Sequence, residues 1–136
     1  MRKIIFFGIG IVLLIVAGWG IYKVTKPHQS TAGQEAAATL SASTLYQDFT
    51  QNETTANKKW VGKILEISGT ISAVQETGSA LSVSLRVTTD GGVNCSILKK
   101  DLDPTKKLNQ GDSIIVKGRC TGYLMDVNMV DCVIVK

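Results

Sequence analysis

Histidine is nearly missing from this chain: of 136 residues only His28 is one, and it precedes every segment patterned like a folded domain. That excludes a Ser/His or Cys/His catalytic pair and removes the commonest general base. Cysteine is sparse as well. Cys95, Cys120 and Cys132 stand 25 and 12 positions apart, with no Cys-x-x-Cys pair. Such spacing offers no zinc ligand set, and three cysteines are too few to staple a miniprotein. Two prolines and 19% charged residues, beside 44% hydrophobic ones, exclude wholesale disorder. Carboxylates are scattered singly, and nothing in their placement suggests a glycosidase pair, a metal site or a cofactor. The reading is therefore of a non-enzyme without metal or cofactor.

The formal charge of +4 is an average over two unlike parts. Residues 1–28 hold Arg2, Lys3, Lys23 and Lys26 and no acid, whereas residues 29–136 hold eleven basic and eleven acidic residues. The basic pI of about 9.0 belongs to the N-terminal segment. A basic globular domain, the usual first sign of a nucleic-acid binder, is thus excluded in bulk, although charge can still be segregated in space.

What the N-terminus does have is a long apolar run. Ile4–Tyr22 carries no charge, and as a helix it spans about 28 Å, close to bilayer thickness. Trp19 and Tyr22 fall near one end, where amphipathic rings favour the interface. The run is longer than the apolar part of a cleaved signal peptide, and Ala17–Gly20 makes a poor cleavage site. We expect residues 1–26 to be a transmembrane signal anchor that contacts the membrane through residues 4–22. The flanking charges slightly favour the N-terminus inside and so an extracytoplasmic C-terminal domain in the cell envelope. Residues 27–43, PHQSTAGQEAAATLSAS, read as a flexible linker, with a helical continuation through Glu35–Leu40 as the rival. An extended linker would let the domain stand off by up to about 50 Å.

The domain is expected over 44–136. Thr44-x-x-Gln47 has capping-box spacing, and Leu45, Phe49, Ala56 and Trp60 fall near one face, which predicts a helix over 45–59. From Lys63 the period changes to two. Leu65–Ala73, Leu81–Val87 and Val93–Ile97 read as three strands, with Asp90-Gly91 as a tight hairpin supplying positive φ. Residues 99–111 break the pattern as a loop or short helix starting at Asp103-Pro104. Ile114–Cys120 is a fourth strand, 121–126 a turn, and 127–135 a fifth strand of ambiguous phase that a bulge near Asp131 would reconcile. Three strands, a connection and two more strands is the order of an OB-fold barrel. Gly69 and Gly118 sit mid-strand, where a small barrel needs close backbone approach. The fold class is therefore all-β with an N-terminal helix: a five-stranded OB-fold barrel after a transmembrane helix. Asn52-Glu53-Thr54 and Asn94-Cys95-Ser96 match the glycosylation triplet, but both lie in expected regular structure.

The string from Asn52-Glu53 through Ala56-Asn57-Lys58-Lys59-Trp60-Val61-Gly62-Lys63 to Glu66-Ile67-Ser68-Gly69 resembles the opening of the tRNA_anti-like family of small OB-fold domains. Leu108-x-x-Gly111-Asp112, Val116-x-Gly118-x-Cys120-x-Gly122 and Val127-x-x-Val130-x-Cys132 are similar too, so the likeness covers about 45–135. The resemblance implies an OB-fold, often behind a membrane or lipid anchor in bacteria, and supplies no catalytic residues. The position of the one histidine, His28, ahead of the domain argues against a similar-looking class, the membrane-anchored OB-fold haem chaperones, which need a haem-attaching histidine on the domain.

Binding single strands on an OB-fold needs aromatic platforms and a positive groove. The outward positions Ser82, Ser84, Arg86, Thr88, Asn94 and Ser96 include no aromatic. The candidate ligand-binding residues are Arg86, Lys99, Lys100, Lys117, Arg119 and Tyr123. Asp101, Asp103 and Asp112 interleave with the lysines, so a solvated mixed-charge surface is the plainer reading. In an oxidising compartment Cys120–Cys132, on neighbouring strands, is the first-choice disulfide. Cys95–Cys120, Cys95–Cys132 and three buried thiols stay open. A redox role for Cys120 would require a low-pKa, accessible thiol. The expected function is a membrane-anchored binding module for a protein or envelope-polymer ligand. A single-stranded nucleic-acid (oligonucleotide) ligand is the alternative.

Overall fold

The computed structural model describes residues 30–136. The expected anchor at 1–26 lies outside the described residues; within them, no helix is long and apolar enough to cross a membrane. From residue 30 on, the expected linker is not a free tether. Thr31–Gly33 forms a 3-10 turn and Ala38–Ser41 a short strand, β1, which pairs in parallel with residues 65–68. Thr31 explains the docking. Its side chain is fully buried, and its hydroxyl faces the carbonyl oxygens of Asp131 at 2.6 Å and Lys117 at 3.2 Å.

Two helices stand where one was expected, α1 over Ala42–Gln51 and α2 over Glu53–Trp60. The first is capped by Ser41 rather than Thr44: the Ser41 hydroxyl accepts from the Thr44 N–H at 3.1 Å. The break is Asn52. Its backbone is extended, and its side-chain oxygen accepts from the Thr55 N–H at 3.0 Å, so it ends α1 and starts α2 at once. Glu53 in the first turn and Lys58 and Lys59 in the last suit the dipole of this short helix. The stripe Leu45, Phe49, Ala56 and Trp60 is buried as expected. The Trp60 indole N–H donates to Asp48 at 2.8 Å, which ties the two helices together.

Five strands follow: β2 Ile64–Thr77, β3 Ala80–Arg86, β4 Gly92–Leu98, β5 Ser113–Leu124 and β6 Asp126–Ile134. The sheet runs β1-β2-β3-β4-β6-β5, and β2 also pairs with β5. β2–β6 thus close into the expected five-stranded barrel, with β1 as an added sixth strand. Closure removes the free edges that a flat sheet would expose. β4 and β6 run parallel and the remaining barrel pairs antiparallel, as an OB-fold requires. Leu65, Ile67, Val83, Leu85, Val93, Ile97, Val116, Val127 and Met129 fill the interior at 0–1% exposure. Each such side chain contributes about 1.5–3 kcal/mol of burial.

The bulge near Asp131 is present. Arg119 and Lys117, two positions apart on β5, pair with Val130 and Val133, three apart on β6. Asp131 takes φ 52°, and the inward set switches from Val127 and Met129 to Cys132. Gly118 faces this bulge: a Cβ there would meet the Cys132 sulfur, and the Val130 oxygen at 3.1 Å. Gly69 likewise lies against Leu85 and Ala42.

Three local expectations fail. The connection 87–91 is wider than a two-residue hairpin, and neither Asp90 nor Gly91 has positive φ. Thr88 closes it instead, its hydroxyl accepting from the Asp90 and Gly91 N–H groups. β5 continues to Leu124, leaving Met125 with φ 78° as the tip of the β5–β6 hairpin. In the 99–111 loop the helical turn is Lys99–Asp101, before Asp103.

Candidate ligand-binding face

β3 and β4 present the most regular polar surface of the barrel. Alternation turns Val83, Leu85, Cys95 and Ile97 inward and Ser82, Ser84, Asn94 and Ser96 outward. The register sets Ser82 opposite Ser96 and Ser84 opposite Asn94, and the Ser82 hydroxyl donates to the Asn94 side-chain oxygen at 2.7 Å. The lower end of this face opens into a cleft of about 250 Å³ lined by Ser72, Gln75, Ser84, Arg86, Asp90 and Asp126. The backbone under the cleft is held tightly. The Gly92 N–H donates to Asp126 at 2.8 Å, and a Cβ on Gly91 would sit 2.7 Å from both the Tyr46 hydroxyl and the Met125 carbonyl oxygen. Arg86 is exposed at the rim and makes no hydrogen bond or ion pair among the described residues. The cleft therefore offers hydroxyls, one amide, one guanidinium and two carboxylates, a set suited to hydrogen bonding without a dominant charge.

The six candidate binding residues do not converge. In the closed order, the neighbours of β5 are β2 and β6, so Lys117 and Arg119 stand across the barrel from the β3–β4 face. Both are engaged by backbone. The Lys117 ammonium donates to the carbonyls of Ala32 and Gln34 at 3.1 and 3.0 Å, and Arg119 donates to that of Gly62 at 2.9 Å. Lys99 pairs with Glu76 at 3.1 Å, next to Lys100 in the 3-10 turn at the opposite end of β4 from Arg86. Tyr123 belongs to the lower cap, stacked on Phe49 at 5.9 Å and edge-on to Tyr46 at 6.1 Å. Only Arg86 lies in the cleft. Sequence reasoning missed Ser72, Gln75, Asp90 and Asp126, because they come from three other segments and share no motif.

A second depression, of about 510 Å³, lies at the upper end between β2–β3 and the 99–109 loop. Val74, Leu81, Leu102 and Leu108 form its floor, and Lys99, Lys106 and Lys107 stand on its rim. The carboxylates of Asp103 and Asp112 are exposed and hydrogen-bonded within the loop. Asp103 accepts from the Thr105 hydroxyl and N–H, bonds that hold its pKa below the ordinary value, and Asp112 accepts from the Asn109 N–H.

All three cysteines are free thiols, fully buried, so the expected Cys120–Cys132 disulfide is not present. The register is the reason: Cys120 pairs with Met129 and Cys132 with Ile97, so the two cysteines are not opposite each other. Burial pushes the Cys120 thiol up. A hydrogen bond with Cys95, and then burial, push Cys132 up. Raised, inaccessible thiols are the opposite of what a redox cysteine needs.

The tRNA_anti-like family model matches residues 1–134. The chain belongs to the tRNA_anti-like family. Among solved structures it is similar to a lipoprotein from Klebsiella pneumoniae proposed to bind nucleic acid, with 20% identity and a TM-score of 0.59, covering 72% of this chain and 91% of that one. It is also similar to the asparaginyl-tRNA synthetase of Entamoeba histolytica, with 20% identity and a TM-score of 0.44, covering 54% of this chain and 21% of the synthetase. Identities this low speak to fold alone. No curated protein matches the chain. The synthetase match extends over 21% of that enzyme and brings no activity to this chain.

Proposed function

We propose that this protein is a non-catalytic, membrane-tethered binding module whose β3–β4 face, with the Arg86 cleft, takes a protein or envelope-polymer ligand outside the cytoplasm. The observation that carries the reading is the split between two sides of the barrel. The hydroxyl- and amide-rich face lies on β3–β4, while Lys117 and Arg119 lie across the barrel, bonded to the chain's own backbone. The N-terminal segment docks on that same far side, against Lys117 and Asp131. If residues 4–22 span the bilayer, residues 23–29 give at most about 25 Å of extended reach, half of that expected from an unstructured linker. The β3–β4 face then points away from the bilayer. A fusion of alkaline phosphatase, which is active only after export, behind Lys136 tests the topology: activity is expected, and an inactive fusion of full-length product would overturn it.

A second reading, a single-stranded nucleic acid, is favoured by one observation, the lysine-rimmed upper depression with Lys99, Lys106 and Lys107 over an apolar floor. The proposed function of the Klebsiella lipoprotein points the same way. Lys106→Ala with Lys107→Ala should then reduce both affinity and the salt dependence of binding.

A further inference from the structure

A third pocket, of about 520 Å³, lies beside the β5–β6 hairpin and α2, apart from the β3–β4 face. Its walls are Glu53 and Asn57 from α2, Thr121, Tyr123 and Leu124 from β5, and Asn128 from β6. The size suits one or two small rings. No lysine or arginine lines it.

Its chemistry divides into an apolar part and a hydrogen-bonding part. Tyr123 is fixed from behind by its stack on Phe49 and by the edge of Tyr46, so its ring is a preset wall. Leu124 beside it is 81% exposed, a large apolar side chain with nothing covering it among the described residues. Around them, the side chains of Glu53 and Asn57 make no hydrogen bond among the described residues. Asn128 donates to the Asp126 carbonyl at 3.1 Å, which orients its amide, and the Thr121 hydroxyl donates to the Asn128 carbonyl. A carboxylate and a free amide side by side accept from and donate to neighbouring hydroxyl groups. An aromatic ring and a leucine cover the C–H face of a ring that carries such hydroxyls. Charge excludes a phosphate chain here. The Tyr123 phenol is pushed up, first by burial, then by Tyr46 and by the nearby carboxylates of Glu53 and Asp126. The local field is negative, and the phenol stays neutral.

We propose that this pocket binds one or two units of a neutral glycan, with Tyr123 and Leu124 against the sugar ring and Glu53, Asn57 and Asn128 on its hydroxyls. The inference deepens the binding-module reading and rests on it, at a separate place on the barrel.

The test is saturation-transfer NMR on the full chain in detergent micelles with tetrasaccharides of glucose, of galactose and of N-acetylglucosamine, and with tetralysine as a cationic control. We expect transfer to at least one tetrasaccharide, and an apparent Kd weakened about two- to tenfold in Asn57→Ala and in Glu53→Gln. Both positions lie on the outer side of α2, and the loss of the Glu53 charge from its first turn should lower the unfolding temperature by no more than a few degrees. Thr70→Ala, exposed on β2 and outside every site described, should leave saccharide binding intact. Absence of transfer to all three tetrasaccharides, binding indifferent to both α2 substitutions, or tetralysine displacing the saccharide would each overturn the proposal. The export fusion reports on the broader reading independently, so the two can fail separately.

Discussion

Thr31→Val separates a docked N-terminal segment from a free tether. Valine keeps the shape of threonine, so no cavity opens and the loss is that of the hydroxyl alone. That hydroxyl has one proton and faces two carbonyls, and the 2.6 Å contact with Asp131 is the stronger claim on it. Its removal takes one donor from the part-buried Asp131 carbonyl and the hydroxyl's own bond with it, a loss of about 1–3 kcal/mol. The loss should appear as local opening rather than global unfolding, because the segment meets the barrel chiefly through Thr31, β1 and the Lys117 ammonium. Hydrogen exchange of the β1 amides and of Ala37, whose N–H donates to the Ile64 carbonyl at 2.7 Å, reads this directly. Exchange should speed about fivefold to 150-fold, while amides of β3 and β4 stay as they were. Unchanged exchange in β1, or equal acceleration throughout the barrel, would refute the argument.

Gly118→Ala should lower stability by about 1–3 kcal/mol through overpacking at the β6 bulge, measured by urea denaturation. In a Cys132→Ala background the same change should do less harm, and strict additivity of the two would contradict the contact. Asp48→Ala leaves the Trp60 indole N–H without its acceptor and should destabilise by about 1–3 kcal/mol, visible as a lower urea midpoint. For the thiols, alkylation of the folded protein should be slow, with all three cysteines labelled in denaturant. Because Cys120 and Cys132 are raised in the fold, the unfolded chain releases their protons first. Stability should therefore be intact below the ordinary thiol value of 9.0 and decline as pH rises above it. A flat profile through that range would count against their burial.

The barrel was legible because it is written in local alternation. The inward sets of β2, β3, β4 and β5 are period-two runs, and even the β6 bulge showed as a phase conflict between Met129 and Cys132. β1 was hidden because four residues of Ala-Thr-Leu-Ser carry no strand pattern of their own; their conformation comes from pairing with β2. The helix break was hidden because Asn52 serves as cap on both sides, and the apolar stripe runs on across it. The site was least legible. Lys117 and Arg119 look free in sequence, and only the fold brings the carbonyls of Ala32, Gln34 and Gly62 to them, up to 85 positions away. Likewise Arg86 and Asp126 share a cleft that no spacing announces.

The central claim is that the ligand face carries no excess of positive charge, with Lys117 and Arg119 held across the barrel from it. Titration of the full chain in detergent micelles with labelled single-stranded DNA and RNA, at low and at physiological salt, tests it most directly. The account predicts no binding in the micromolar range even at low salt, where attraction to phosphate is strongest. Micromolar or tighter binding that falls steeply with salt would contradict it and make the lysine-rimmed depression of Lys99, Lys106 and Lys107 the working site.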